Sequence, residues 1–408
     1  MALKHKRQGF TLVELMIAVI AGSFAVAGVY YLSGVSARMF GEQMRVSETQ
    51  LSLRSAMEQL RRDIARAGYL AAPNSTLLPD CGGTLGTIGA TGVAPRAIRA
   101  LSVTHNGSVS ASTTVRDLLG LNPLVNQTRA DRLDLWGNYA TSDAYLVDPT
   151  ASTSTSIVFQ TGSESFRRSF FTPAAGNGAA IYDATATGRF ALTFAAGRML
   201  RIEQDGRFFF RDIQSVNPVA TGPSVQLTAA LPPCFDPSRW TAAAPVMRVS
   251  YMVEGDNETD LARVSPATAG VGSRRTLLVR RERTDSTDAR VAQSSRVVLD
   301  YAVEFAVDAI VDTSLGGTTP AWQYTTGSDV TTSWDATPHA YRALVVTLTS
   351  RSSDADPNLP AMGRARFAQA GLLDSPLMTF RVFDPARTGV VLNARVRTLR
   401  SEIFLQNL

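Results

Sequence analysis

Lysine, histidine and cysteine are scarce in this chain of 408 residues, and each shortage narrows the chemistry open to it. The only lysines are Lys4 and Lys6, and the only histidines are His5, His105 and His339. A serine hydrolase needs a histidine near a nucleophilic serine, and the sequence has no Gly-x-Ser-x-Gly motif. It also has no Walker phosphate-binding loop and no dinucleotide-binding glycine motif. We therefore expect no enzyme activity.

The two cysteines are Cys81 and Cys234, and no Cys-x-x-Cys pair accompanies them. With so few histidines, this pattern does not suit a zinc site. An even cysteine count in a chain exported to an oxidising compartment favours a disulfide, and two buried free thiols are the alternative. A Cys81–Cys234 bridge would close a long loop and add about 4–5 kcal/mol of stability in the chain-entropy model.

The charge balance does not favour a nucleic-acid partner. The formal net charge is +5, but Lys4, Lys6 and Arg7 lie within the first nine residues, and without them it falls to +2. Later arginine pairs such as Arg274-Arg275 stand among acidic residues, which is typical of a solvated surface. We therefore expect no binding to nucleic acid.

One acidic cluster could offer oxygen ligands to a cation, and it consists of Glu254, Asp256, Glu258 and Asp260. Alternating carboxylates on a turn suit Ca²⁺, but the EF-hand positions for glycine and for the closing glutamate are not matched. We interpret the cluster as a solvated turn with no cofactor, and a calcium site is the alternative.

From Leu15 to Leu32 the chain has no charged residue, and the next charged residue is Arg38. At about 1.5 Å per residue, a helix of this length spans the roughly 30 Å hydrocarbon core of a bilayer. The three basic residues before Gly9 place the N-terminus in the cytoplasm by the positive-inside rule. We predict a single membrane-spanning helix over residues 10–37, with everything after it outside the inner membrane.

The segment Gly9-Phe10-Thr11-Leu12-Val13-Glu14-Leu15 resembles the class III signal of type IV pilins and type II secretion pseudopilins. The resemblance implies that residues 1–9 are a cytoplasmic leader. It implies that a prepilin peptidase cuts between Gly9 and Phe10 and N-methylates Phe10. It also implies that Glu14 guides docking onto the N-terminal amine of an adjacent subunit, which would neutralise a carboxylate that is costly in a membrane.

Two other interpretations of this segment remain open. It could be an uncleaved signal anchor in which lipid headgroups solvate Glu14. It could also be an ordinary secretory signal peptide, because Ala25-Val26-Ala27 has the small-residue spacing of a signal peptidase site. Neither interpretation accounts for the Gly9-Phe10 junction and Glu14 together.

The helix is predicted to continue as an amphipathic segment over residues 38–69, interrupted by no proline. Gly34 and Gly41 are weak points within it, and Gly68 is predicted to end it. Helical spacing gives it an apolar stripe predicted to pack on the globular domain: Leu53, Met57, Leu60, Ile64 and Ala67.

The segment Leu60-Arg61-Arg62-Asp63-Ile64-Ala65-Arg66-Ala67-Gly68-Tyr69, with Cys81 after it, resembles the minor pilin family called PilW. The J-type minor pseudopilins of type II secretion are more distant relatives and usually much shorter. The bulk of the chain after the helix argues for a rare subunit at or near the pilus tip, and the PilW resemblance implies that such a subunit primes assembly. Its partners would be other minor pilins, the major pilin, a PilY-type tip adhesin and the inner-membrane assembly platform. Motility, cell adhesion and DNA uptake stay open as the role of the pilus.

Residues 70–408 are predicted to form a β-rich periplasmic or extracellular domain, with 70–253 and 261–408 as candidate sub-structures within it. Residues 71–130 are predicted as loops with short strands, and Gly206 as a hairpin turn. The predicted strands are 132–136, 155–160, 189–195, 198–204, 207–214, 224–229, 246–253, 275–281, 296–312, 342–350, 378–383 and 394–405. The predicted fold class is α+β and type IV pilin-like: one long N-terminal helix packed on a large antiparallel, loop-rich β-domain.

A function from another class stays open beside the filament subunit. The chain could be a membrane-anchored periplasmic binding protein with an incidental leader. That interpretation predicts that function survives substitution of Gly9 or Glu14, whereas a pilin would lose processing or assembly.

Overall fold

The computed structural model of the chain describes residues 11–71, 100–105, 129–172, 181–185, 187–239, 241–255, 276–284, 288–291, 294–314, 321–326, 340–352, 379–383 and 391–406. The chain divides into two compact units, Met1–Leu51 and Ser52–Leu408. Several residues singled out by the sequence lie outside the described ranges: Gly9, Phe10, Cys81, Asp256, Glu258 and Asp260.

The described residues form three helices and seventeen strands. The helices are α1 (Leu12–Ala65), α2 (Glu164–Phe170) and α3 (Arg189–Thr193). The strands of the first half are β1 (Leu101–Thr104), β2 (Arg132–Gly137), β3 (Tyr145–Leu146), β4 (Ser156–Val158), β5 (Phe171–Thr172), β6 (Ile181–Tyr182), β7 (Met199–Gln204), β8 (Arg207–Asn217) and β9 (Ser224–Leu227). Those of the second half are β10 (Ala242–Gly255), β11 (Thr276–Arg283), β12 (Arg296–Asp300), β13 (Ala302–Asp312), β14 (Trp322–Thr325), β15 (Tyr341–Arg351), β16 (Thr379–Phe383) and β17 (Val391–Phe404).

Helix α1 is 54 residues long and continues through both Gly34 and Gly41. It ends at Ala65, and a turn follows in which Gly68 has φ +78°, a left-handed conformation that favours glycine. The Gly68 N–H donates to the Trp136 carbonyl oxygen at 2.8 Å. The prediction that Gly68 ends the helix is confirmed, with the last helical residue three positions earlier.

The first unit contains the apolar part of α1. By length and composition this helix could cross a membrane. Its large apolar side chains are exposed along the segment, from Leu12 through Ile20 and Phe24 to Leu32. Apolar side chains exposed all round a helix need lipid or other protein around them.

A large antiparallel sheet occupies most of the second unit. Its strands follow the order β1-β2-β10-β7-β8-β9-β4, with β3 and β11 also paired to β10, and β12 paired to β11. Strand β10 is shared by the two parts of this sheet. Its first residues pair with β3 and β7, and its later residues pair with β2 and β11.

A second antiparallel sheet follows in the order β14-β13-β15-β17-β16. The chain passes from the first sheet to the second at Tyr301, which has φ +52°. A parallel bridge between Ala130 and Phe305 links the start of β2 to β13. Together with helix α1, the two sheets give the α+β arrangement that the sequence predicts, and it is consistent with a pilin-like fold.

The main hydrophobic core lies between the C-terminal part of α1 and the two sheets. The apolar stripe of the helix is buried here, as predicted: Leu53, Met57, Leu60, Ile64 and Ala67. It meets buried residues of the first sheet, such as Leu133 and Tyr251, and of the second sheet, such as Phe305 and Leu344. Burial of five side chains anchors the last turns of α1 to the β-domain.

A second core is built largely from aromatic rings that come from β3, the end of β4, and helices α2 and α3. It gathers Tyr145, Phe159, Phe166, Phe170, Phe190 and Phe194. Their ring centroids lie 4.7–6.4 Å apart, with many edge-on or tilted pairs. Such arrangements are the favoured geometry of aromatic packing.

The predicted strand at 189–195 is wrong, because these residues form helix α3. Phe190 and Phe194 are one helical turn apart and both point into the aromatic core. Leu192 lies between them and is 59% exposed, which a strand with the same alternation would not allow. The alternating pattern Phe-x-Leu-x-Phe suits a strand, but packing of the two phenylalanines selects the helix.

The predicted strand at 296–312 is two strands rather than one. Strand β12 pairs with β11 in the first sheet, and β13 pairs with β14 and β15 in the second. The left-handed conformation of Tyr301 separates them. The hairpin predicted at Gly206 is confirmed, since β7 and β8 are joined through Asp205 and Gly206, both with positive φ.

Candidate processing and assembly site

Helix α1 begins with a reciprocal set of hydrogen bonds between Thr11 and Glu14. The Thr11 N–H and hydroxyl donate to Glu14 Oε2 at 3.0 and 3.1 Å, and the Glu14 N–H donates to Thr11 Oγ1 at 3.3 Å. This is a capping box, in which the residue before the helix and the third helical residue satisfy each other's N–H groups. The Thr-x-x-Glu spacing of Thr11 and Glu14 is the signal in the sequence from which this cap could have been predicted.

The capping box places the Glu14 carboxylate at the first turn of the helix. The Glu14 side chain is exposed, and both of its hydrogen bonds from Thr11 end on Oε2. Within the described part of the chain, Glu14 Oε1 accepts no hydrogen bond. A carboxylate held in this way is available to an ammonium group from another chain. That its partner is an N-terminal amine stays a prediction, because Gly9 and Phe10 lie outside the described residues.

The other end of the helix is fixed by Asp63, a charged residue in the buried interface. Asp63 Oδ2 accepts from the Tyr251 hydroxyl and from Arg280 Nε, both at 2.6 Å. The Tyr139 hydroxyl donates to the Asp63 carbonyl oxygen at 2.9 Å. Strands β10 and β11 therefore hold the helix through polar contacts as well as apolar packing.

The burial of this cluster alters the acidity of its groups. Burial, and then the negative charge of Asp63, raise the pKa of Tyr251 and Tyr139 well above their ordinary value. Burial is the largest single influence on the pKa of Arg280 and would lower it, but the charge and hydrogen bonds of Asp63 and Tyr251 together outweigh burial, so the pKa is raised. Arg280 therefore stays charged and both tyrosines stay protonated over the ordinary pH range.

Arg66 follows helix α1 and binds the loop after β2. Its guanidinium donates to the carbonyl oxygens of Asn138 at 2.6 Å and Thr141 at 2.9 Å. Gly137 lies so close to the helix end that a Cβ there would be 2.8 Å from the Arg66 carbonyl oxygen. The helix and β2 thus meet at a position that admits only glycine without rearrangement.

The remaining predicted site residues lie far from the helix start in sequence. Cys234 is partly buried beside the aromatic core, and since Cys81 lies outside the described ranges, the disulfide stays a prediction.

Glu254, the first residue of the predicted calcium site, is buried on β10 and forms an ion pair with the fully buried Arg281 on β11. Among the described residues no group of three or more acidic, histidine or cysteine side chains could hold a metal ion. The calcium site stays a prediction, with Glu254 already engaged by Arg281.

Comparison with known protein families matches the N-terminal region. A family model described as the prokaryotic N-terminal methylation motif matches residues 4–30. The chain carries a prepilin-type class III signal. This signal supports a type IV pilin or pseudopilin, and it implies processing by prepilin peptidase and assembly with other pilins.

The class III signal and the apolar helix together fit a pilin that is anchored in the inner membrane and later enters a pilus. The signal also favours a structural protein over an enzyme. Comparisons with curated proteins and with solved structures gave no match.

Proposed function

We propose that this chain is a minor pilin of a type IV pilus, of the PilW kind, that acts at or near the pilus tip without enzyme activity. The observation that carries the proposal is the methylation motif at residues 4–30, followed by the apolar part of α1. The PilW assignment is supported by the resemblance of residues 60–69, and the tip position by the size of the β-domain. More than 300 residues follow the helix, which is bulky for a subunit repeated along a thin filament.

The mechanism follows from the apolar surface of residues 12–35. In the membrane, lipid covers these side chains, and the subunit is stored with its globular domain in the periplasm. During assembly the same surface leaves the lipid and is buried against helices of other subunits. Van der Waals packing then replaces lipid contacts, as in membrane helix association.

Glu14 sets the axial position of the helix against its neighbours in the filament. Cleavage after Gly9 creates an α-amino group on Phe10, and an unpaired carboxylate in an apolar environment is costly. When Glu14 pairs with the amine of a neighbouring subunit, the two charges neutralise each other inside the apolar helix bundle. The pair can form at only one axial offset between the two helices. In this step the carboxylate leaves the Thr11 donors or shares its second oxygen with the amine.

The first test compares Glu14→Gln with Glu48→Gln in the native host. Both substitutions neutralise an exposed glutamate of α1, but only Glu14 lies in the motif. We expect the Glu14 variant to be processed and retained in the membrane, and the Glu48 variant to reach sheared filaments like the unaltered chain. Equal incorporation of both variants would contradict the assembly role and favour a membrane-anchored periplasmic binding protein.

The second test addresses the position in the filament. Immunogold labelling of sheared pili should mark filament ends, and the chain should co-purify with other minor pilins and a PilY-type adhesin. Even labelling along the filament would refute the tip position.

A J-type minor pseudopilin of a type II secretion system is the second candidate, because the methylation motif suits pseudopilins equally. Deletion of the gene separates the two. Loss of pili with normal secretion supports the minor pilin, and loss of secretion with normal pili supports the pseudopilin.

A further inference from the structure

A groove of about 770 Å³ lies on the second unit beside the C-terminal end of α1. Helix α1 contributes Gln59 and Arg62 to one wall, and the turn after the helix contributes Arg66. Strands β11 and β12 contribute Arg280 and Arg296 to the other. Its wall includes Asp63 and Arg280, which hold the end of α1, whereas Glu14 and the cleavage junction lie outside it.

The floor of the groove carries charges that are already paired. Arg280 is bound to Asp63, and Arg198 is bound to Glu282 through both of its guanidinium edges. All four side chains are at most 16% exposed. These pairs neutralise each other and leave no net charge on the floor.

The rim carries three arginines whose charge is not neutralised. Arg62 donates to the Glu58 carbonyl oxygen at 3.3 Å, and Arg66 donates to two backbone carbonyl oxygens. Arg296 is exposed at the start of β12. None of the three forms an ion pair with a carboxylate in the part of the chain that the structure describes. Five arginines and two carboxylates thus give the groove a formal charge of +3.

We propose that this groove binds the carboxylate side chains of an acidic segment of a partner protein. Arginine suits this ligand because its planar guanidinium holds a carboxylate through two parallel hydrogen bonds. The carbonyl bonds of Arg62 and Arg66 orient these guanidiniums without cancelling their charge. Tyr139 and Met247 also line the groove and offer apolar contact to the aliphatic part of a peptide.

A nucleic acid fits the groove less well than a peptide. Phosphate backbones are bound along extended basic tracks, with many Lys or Arg contacts. Here the positive charge is confined to one groove, and two carboxylates interrupt its floor. The proposal does not depend on filament assembly, because the groove would bind an acidic segment whether or not the chain enters a pilus.

The test measures peptide binding to the full chain in non-ionic detergent. The probe is a fluorescent, end-blocked peptide of sequence Glu-Gly-Glu-Gly-Glu-Gly-Glu, and its control has Gln in place of every Glu. Fluorescence anisotropy should show binding of the acidic peptide that weakens with salt, and no binding of the amide control. Arg62→Glu and Arg296→Glu should each weaken binding by about tenfold or more, because each removes a charge-assisted contact and adds repulsion.

The matched control is Arg54→Glu, which reverses an exposed arginine of the same helix outside the groove. It should leave peptide binding unchanged within about twofold, as expected for a charge that makes no contact. Because Arg62 and Arg296 are both exposed, a folding defect in one variant leaves the other as an independent test. Three outcomes would overturn the proposal: absence of acidic-peptide binding, equal loss in the Arg54 and Arg62 variants, or tighter binding of a single-stranded oligonucleotide than of the peptide.

Discussion

At the scale of single residues, the second unit depends on a few charged side chains placed where apolar residues are expected. Asp63 is the clearest case, because it interrupts the buried stripe of α1 and meets Tyr251 and Arg280. A buried ion pair contributes little net stability compared with apolar packing, but removal of one partner is costly. Its role is to fix the rotation and height of the helix against β10 and β11.

Asp63→Asn tests this role. The substitution keeps the shape of the side chain but leaves Arg280 charged and largely buried, so we expect a loss of about 3–5 kcal/mol in the free energy of unfolding. Chemical denaturation of the full chain in detergent would measure it. Asp205→Asn is the control, since the Asp205–Arg239 pair is well exposed and its loss should change the free energy of unfolding far less. Equal losses in the two variants would contradict the anchoring role of Asp63.

Asp312 provides a prediction of pH dependence. The hydroxyl and N–H of Ser314, and then Arg342, lower the pKa of Asp312 to about 2. An unfolded aspartate titrates near a pKa of about 3.9, so this group stabilises the fold at neutral pH. That contribution is lost as the pH falls from about 4 to about 2. Carboxyl NMR should show the low midpoint, and Asp312→Asn should remove this part of the acid sensitivity. A midpoint near the unfolded value would contradict the hydrogen-bond set at the end of β13.

The roles of some of these residues could be predicted from the sequence, and those of others could not. Gly68 was predictable because a glycine after a helical pattern is a local signal, and the class III signal is equally local. Asp63 was not, since its partners Tyr251 and Arg280 are 188 and 217 residues away along the chain. The groove arginines are likewise brought together by the sheet and not by their spacing.

At the scale of secondary-structure elements, the sequence pattern of residues 189–195 predicts a strand, whereas packing of its side chains favours a helix. Residues 189–195 alternate like a strand, but Phe190 and Phe194 are drawn to the same side by the aromatic core, and helix α3 results. Most strands were predictable from apolar runs and turn residues. Their order in the sheets was not, because β10 pairs with β2, β3, β7 and β11 from distant parts of the chain.

Two alanine substitutions distinguish helix α3 from a strand. Phe190→Ala should cost about 3–5 kcal/mol, because it opens a cavity in the aromatic core. Leu192→Ala should change the free energy of unfolding by no more than about 0.5 kcal/mol, because its side chain is mostly exposed. Denaturation of the two variants measures both values. Similar losses in the two would mean that Leu192 is buried with the phenylalanines, as in a strand.

At the scale of the whole molecule, the chain combines two units with opposite solvent requirements. Residues 12–35 expose apolar side chains all round a helix, whereas the unit from residue 52 onward buries its own core. A subunit that moves from a membrane to a protein filament needs both properties. The first unit can exchange lipid for neighbouring helices while the second unit remains folded.

The most direct test of this account is the chemical identity of the N-terminus of the protein extracted from its native host. Mass spectrometry should find a chain that begins at Phe10 and carries an N-methyl group, as the methylation motif at residues 4–30 implies. A chain that begins at Met1 or Ala2 would mean an uncleaved anchor. One that begins at Gly28 would mean ordinary secretion. Either of these termini would contradict assembly through Glu14.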